Sequence, residues 1–176
     1  MKKILEVPYK SQLDNKFDPL STCNVTSIAM CLEYLGTKRR EEYRNIKQFE
    51  DELYRCCLDR SLDRRKPDHM AQLIRLYGCR DTFTDRATVE AVKDWIDLGN
   101  PCITHGWFTE SGHIIVMAGY DDKGFIVHDP YGEWFKEGYR TDLSGKNLHY
   151  SYNLIGRTCF PDSQFWVHFV ERGDSL

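Results

Sequence analysis

Apolar residues recur at helical spacing from Ile28 through Ala29, Cys31, Leu32 and Leu35, and Gly36 stops the run. This pattern predicts a helix that opens near Cys23, with Ser21 or Thr22 as its N-cap. Upstream, Lys3 to Tyr9 alternates weakly and reads as a short strand, and Ser11 to Leu20 is a polar loop with Pro19 near its end. Tyr43, Ile46, Phe49, Leu53 and Tyr54 are spaced for one buried helical face within a charge-dense stretch from Arg39 to Arg65, whose charges read as a solvated outer surface. Asp68 is placed to cap a helix over His69 to Leu76, with Met70, Leu73, Ile74 and Tyr77 as its stripe and Gly78 as its stop. Asp81 to Thr84 reads as a brief strand. A further helix begins at Thr88, turns Val89, Val92, Trp95, Ile96 and Leu98 inward, and ends at Gly99.

After Pro101 the period changes from helical to alternating. Strands are predicted over Cys102 to Phe108, Ile114 to Tyr120 and Phe125 to His128, joined by turns rich in Gly and Asp. A helix around Tyr150 to Thr158 and a strand near Phe165 to Val170 complete the chain. The expected fold class is therefore α+β, a helical N-terminal half packed on a small antiparallel sheet. No repeat or linker interrupts it, and 176 residues suit a single domain, 1–176.

Composition narrows the function classes. Hydrophobic residues make up 41% and charged residues 29%, an ordinary globular balance, and a net charge of −3 gives no polycationic signature for nucleic acid. The longest apolar runs are too short for membrane insertion, and Glu6 and Pro8 interrupt any signal-like start, so a cytoplasmic monomer is expected. The seven cysteines are odd in number and scattered, with no Cys-x-x-Cys, and the six histidines show no ligand spacing. Neither a disulfide framework nor a metal site is expected, and no cofactor is implied.

The chemistry-bearing candidate is Cys23, at a helix start where unpaired N–H groups and the positive end of the macrodipole favour the nucleophilic thiolate form. Such a cysteine needs a base, and the base needs an acceptor that holds its tautomer. His113 opens the strand that continues Ile114-Ile115-Val116, and Asp129 follows the next strand. If the hairpin is centred near Asp121, His113 lies opposite Asp129 on a shared face. If it is centred on Asp122-Lys123, the two are displaced by about three residues, roughly 10 Å, unless a bulge near Gly119 or Gly124 restores the register. The Cys23 N–H and an upstream amide would stabilise an oxyanion, with Gln12 the first candidate and Asn15 or Asn24 in reserve. Trp107 and Trp134, close to His113 and Asp129 in sequence, are candidate walls of a substrate groove together with Asn24. His105 and His128 flank the site as structural residues, and His69, His149 and His168 receive no role.

These motifs in order resemble the papain-fold cysteine peptidases of the bacteriocin-processing, double-glycine leader peptidase type. The resemblance is carried by Val7-Pro8-Tyr9 with Ser11-Gln12-Leu13-Asp14, Cys23 opening a helix that ends Tyr34-Leu35-Gly36, Gly112-His113 with Gly119-Tyr120-Asp121, and Asp129-Pro130-Tyr131-Gly132. It implies a papain-like fold, with Cys23 as nucleophile, His113 as general acid/base, Asp129 as orienter and Gln12 as oxyanion donor. Many members carry Gly-Pro after the nucleophile, where this chain has Asn24-Val25.

The function expected from residues and resemblance together is hydrolysis of peptide or amide bonds through a thioester. A phage-type lysin acting on peptidoglycan stem peptides, released to the cell wall by lysis, and an intracellular peptidase both fit. The alternatives are an acyltransferase of the transglutaminase or phytochelatin-synthase kind, using the same three residues, and a papain-fold binding module without catalysis.

Overall fold

The computed structural model describes residues 1–174. The first half is mostly helical. Helix α1 (Cys23–Tyr34) is followed by α2 (Phe49–Asp59), α3 (Pro67–Leu76) and, after strand β2 (Cys79–Thr84), α4 (Val89–Asp97). Helix α1 is buried nearly all round from Asn24 to Leu32, as its unbroken apolar and small-residue run requires, and it packs on both the sheet and α2. Gly36, Gly78 and Gly99 follow α1, α3 and α4 with φ of 80°, 84° and 89°, a conformation that suits glycine at a helix end.

The sheet is built from β1 (Lys3–Ile4), β2 (Cys79–Thr84), β3 (Cys102–Gly106), β4 (His113–Tyr120), β5 (Gly124–His128), β8 (Leu148–Ser151) and β9 (Val167–Arg172). Its order is β2-β9-β3-β4-β5-β8, with β1 added against the end of β4, and every strand pairing is antiparallel. A separate hairpin, β6 (Glu133–Phe135) with β7 (Gly138–Arg140), stands off this sheet, and α5 (Tyr152–Cys159) packs back on β3, β5 and β8. The expected α+β architecture is the one observed. Among the described residues no helix is long and apolar enough to cross a membrane.

Several local expectations are corrected. The face from Tyr43 to Tyr54 is not one helix: a short 3-10 turn, Glu41–Tyr43, precedes α2. Nor are the charges at the start of α2 a solvated surface, since Glu50, Asp51 and Glu52 are all buried. Asp51 accepts the N–H groups of Lys16 and Phe17, and Glu52 accepts from Arg39 Nε at 2.6 Å, Arg40 N at 2.9 Å and Tyr77 Oη at 2.8 Å. Asp51 and Glu52 persist there because loop amides and side-chain donors satisfy them, whereas Glu50 Oε2 has no hydrogen-bond partner and only Lys10 Nζ at 3.9 Å. Leu98 is 73% exposed, because α4 ends at Asp97 and leaves Leu98 as its C-cap. Pro67, not His69, opens α3, and Tyr150 belongs to β8 rather than to the helix after it. Strands β6, β7 and β8 were not expected, being too short to show alternation.

Removing the Glu52 side chain strips three donors of their acceptor. Glu52→Ala is expected to lower unfolding stability by about 3 kcal/mol in urea denaturation, and a loss under about 0.5 kcal/mol would mean that water replaces the carboxylate without cost.

Candidate active site

Cys23 is the first residue of α1, with Thr22 as N-cap. Thr22 makes no side-chain cap bond; its hydroxyl accepts instead from Asn15 Nδ2 at 2.9 Å, and the same amide reaches Thr26 Oγ1 at 2.9 Å. Asn15 thereby fixes the helix start from outside rather than serving an oxyanion. At the next position Asn24 Oδ1 accepts the Val25 N–H at 2.8 Å, satisfying one of the donors that a helix N-terminus leaves unpaired, while Val25 is fully buried in the core. The Asn-Val pair thus has its own local logic, a side-chain cap followed by a core anchor.

His113 and Asp129 meet through an irregularity in the β4–β5 hairpin. Tyr120 pairs with Phe125 and Gly119 with Ile126, so the turn is centred on Asp122-Lys123, the arrangement that alone would separate the two residues. The register then shifts between Met117 and Gly119, and beyond that bulge Val116 pairs with His128. Extending this register sets Ile115 beside Asp129. His113 then sits two residues further along on the same face, a diagonal that an imidazole spans. Without the extra residue the parity would be wrong and the two side chains would face opposite sides. The contact formed is His113 Nε2 to Asp129 Oδ1, at 2.8 Å.

Asp129 is completely buried, and every other polar contact of its carboxylate is a donor. The Tyr131 N–H reaches Oδ1 at 3.0 Å, and the hydroxyls of Tyr139 and Tyr150 each reach Oδ2 at 2.8 Å. The backbone of the same residue is tied as well: its N–H donates to Gly145 O at 2.9 Å and its carbonyl accepts from Tyr9 Oη at 3.0 Å. Gly145 has to be glycine, because a Cβ there would run into the Asp129 carbonyl oxygen. Burial first, and then the Asp129 charge, push the Tyr139 and Tyr150 hydroxyls far above the ordinary tyrosine range, so they stay protonated donors. Sequence reading missed both tyrosines. The available signal was aromatic residues with a polar tip in the segment that returns past Asp129, which nothing local distinguishes from core packing.

Burial opposes the charged form of His113, but the Asp129 charge and hydrogen bond, followed by the influence of Cys23, outweigh it and raise the imidazole from 6.5 to about 10. Since Nε2 is held by Asp129, Nδ1 is the ring nitrogen left for another partner. The rings of Tyr139 and Tyr131 stand 5.4 and 6.1 Å from that of His113 and enclose it.

Gln12 occupies a 3-10 turn, Gln12–Asp14. Its N–H donates to Pro130 O at 2.9 Å and its Nε2 to Pro19 O at 2.9 Å, which leaves the second Nε2 hydrogen free. Gln12, Cys23, Asn24 and His113 all border one cavity of about 530 Å³, a size typical of ligand clefts. The structure thus brings four of the seven predicted site residues to one cleft and places Asp129 directly behind it. Trp107 and Trp134 are elsewhere. Trp107 is 53% exposed with its ring edge-on to His105, and Trp134 packs on Phe108 and donates its indole N–H to Phe108 O at 3.0 Å. His128 bonds Val7 O and Asn147 N, a structural role, whereas His105 lines the cleft.

Comparison with known proteins adds to this geometry. The model of the "Peptidase_C39 like family" matches residues 4–160. Among solved structures, the fold is similar to a double glycine motif protease from an AMS/PCAT transporter in complex with the leader peptide, at 18% identity and TM-score 0.58, over 97% of this chain and 94% of that one. It is also similar to a structure described as a C39-like peptidase from Bacillus anthracis, at 16% identity and TM-score 0.55, over 99% and 100% of the two chains. No curated protein matches.

The raised His113 titration has a direct readout. Its imidazole resonances are expected to titrate near pH 10 rather than 6.5, and in Asp129→Asn the midpoint should fall by at least one unit. Because the folded-state value is raised, the associated stability is present in full below about pH 6.5 and fades as pH climbs to about 10. An unshifted midpoint in Asp129→Asn would mean that the carboxylate does not support the imidazolium.

Proposed function

The chain belongs to the Peptidase_C39 like family, and from that premise we propose that it is a cysteine peptidase, cutting peptide bonds through a thioester on Cys23. One observation carries this reading: Cys23, His113 and Gln12 open onto a single cleft, while the buried Asp129 holds the far nitrogen of His113. Sγ of Cys23 attacks the substrate carbonyl carbon, and the charge that develops on oxygen falls between the Cys23 N–H and the free Nε2 hydrogen of Gln12. The proton held at His113 Nδ1 passes to the leaving amine as the C–N bond breaks. His113 then takes a proton from water, hydroxide adds to the thioester, and the C–S bond breaks to return the thiolate and release the acid.

Asp129 does not exchange this proton. Its carboxylate fixes which ring nitrogen faces Cys23 and stabilises the imidazolium, and the two tyrosine hydroxyls keep it from swinging away. Helix α1 contributes rigidity: a nucleophile on a fully packed helix keeps its position without the freedom of a loop.

The test is cleavage of a panel of linear peptides, peptidoglycan stem peptides and a double-glycine leader peptide, with mass detection of an acyl-enzyme on Cys23. Cleavage of stem peptides is what a lysin requires. Cys23→Ala is expected to abolish turnover with less than about 1 kcal/mol change in stability, since loss of one sulfur at a helix start leaves little cavity. Gln12→Ala should reduce kcat by about 10²–10³. Alkylation of Cys23 no faster than a free thiol, with no peptide cut, would overturn the proposal.

A further inference from the structure

A second buried histidine–carboxylate pair takes no part in this mechanism. His168 on β9 and Asp81 on β2 are each at most 6% exposed, and His168 Nδ1 lies 2.6 Å from Asp81 Oδ2. Phe83 holds the imidazole from the side, with ring centroids 4.7 Å apart. With Nδ1 donating to the carboxylate, Nε2 is the polar atom that remains, and it has no protein partner among the described residues. His168 borders a small chamber of about 40 Å³. Arg65, Met70, His105 and Ile114 border both this chamber and the cleft that holds Cys23, so the chamber is a side pocket of the cleft.

Charge indicates what such a pocket accepts. In a chain of net charge −3, the charged residues lining the two cavities are Arg64, Arg65 and the His113 imidazolium, and no Asp or Glu is among the described lining residues. Asp18 pairs with Arg64 at 2.9 Å and Asp63 with Arg65 at 3.0 Å, both from outside the lining. Arg64 Nε is buried without a partner, while Arg65, bonded to Asp63 through its backbone N–H and Nε, stands at the rim with its side chain 79% exposed. The other walls, Met70, Phe83, Ile114 and Trp166, are apolar. A chamber this small admits a group the size of roughly one or two waters. A carboxylate on a short methylene stem matches these features: its charge meets donors and its stem meets apolar walls.

We propose that this side pocket is a specificity subsite for an acidic side chain, Asp or Glu, of the peptide substrate, with the carboxylate between the Arg65 guanidinium and a His168 ring that donates from both nitrogens, Nδ1 to Asp81 and Nε2 to the ligand. The proposal rests on the peptidase reading of the adjoining cleft. Asp81 acts as a positioning residue that turns Nε2 toward the chamber, and Arg64 adds to the field that draws an anion inward.

The probes are acetylated, amidated hexapeptides in which one Glu is moved along an Ala/Gly background, each paired with its Gln counterpart. With the Cys23→Ala protein, a Glu peptide is expected to bind at least about tenfold more tightly than its Gln partner and to shift the His168 imidazole resonances, both effects being lost in Arg65→Gln on the same background. Equal binding of the pair, or silent His168 resonances, overturns the subsite. His168→Gln supplies a second variant, and since Arg65 is on the surface, the Arg65 arm stands even if that one fails to fold. Cleavage by the wild-type protein separates the two ideas. Glu-selective binding without cleavage of any peptide leaves the subsite standing and sinks the peptidase reading, whereas cleavage indifferent to Glu or Gln keeps the peptidase and sinks the subsite.

Discussion

The arrangement around Cys23 depends on one costly placement, a carboxylate with no solvent contact at Asp129. Removing such a charge from water costs several kcal/mol, and it is tolerated only where donors surround it. Here they come from four directions: the imidazole of His113, the N–H of Tyr131, and hydroxyls carried by β7 and β8. Because the donors belong to different elements, satisfying the charge also fixes those elements relative to one another. The off-sheet hairpin β6–β7, which adds little to the main core, is positioned to deliver the Tyr139 hydroxyl. A single desolvated charge therefore works as a mould into which the surrounding segments must fit.

Much of this was legible in the chain because periodicity reports burial. The α1 pattern, the stripes of α3 and α4 and the apolar strand after His113 all came from apolar spacing, which is the quantity the core selects. What escaped detection was decided by other physics. Asp51 and Glu52 look like solvent-facing residues, and only the distant loop at Lys16-Phe17 and the side chain of Arg39 show why they are inside. The register of the β4–β5 hairpin turned on one surplus residue near Ala118, and no local propensity records the parity of a bulge. Tyr139 and Tyr150 act through their hydroxyls, yet a sequence displays them as aromatics. Chain proximity to His113 and Asp129 likewise does not put Trp107 and Trp134 on the cleft wall: neither borders the cavity that Cys23 and His113 line.

The Asn24-Val25 pair shows how a site can hold its geometry while its sequence changes. A helix start needs its first N–H groups satisfied and its axis anchored, and a side-chain amide followed by a core valine meets both needs. The overall fold is shared with solved structures at 16% and 18% identity. Layout is set by the packing of α1 against the sheet, and many sequences satisfy that.

The hydrogen bond from the Gln12 backbone to Pro130, with that from Tyr9 to Asp129, joins the two ends of the site across more than a hundred residues. These are contacts of high sequence separation, which form late because the loop they close is long. During synthesis Cys23 and Gln12 emerge first, and the histidine, its carboxylate and the tyrosines that hold it follow only after most of the chain has been made. A nascent or truncated chain therefore carries a thiol without its base. The topology itself withholds the assembled constellation until Tyr150 has arrived.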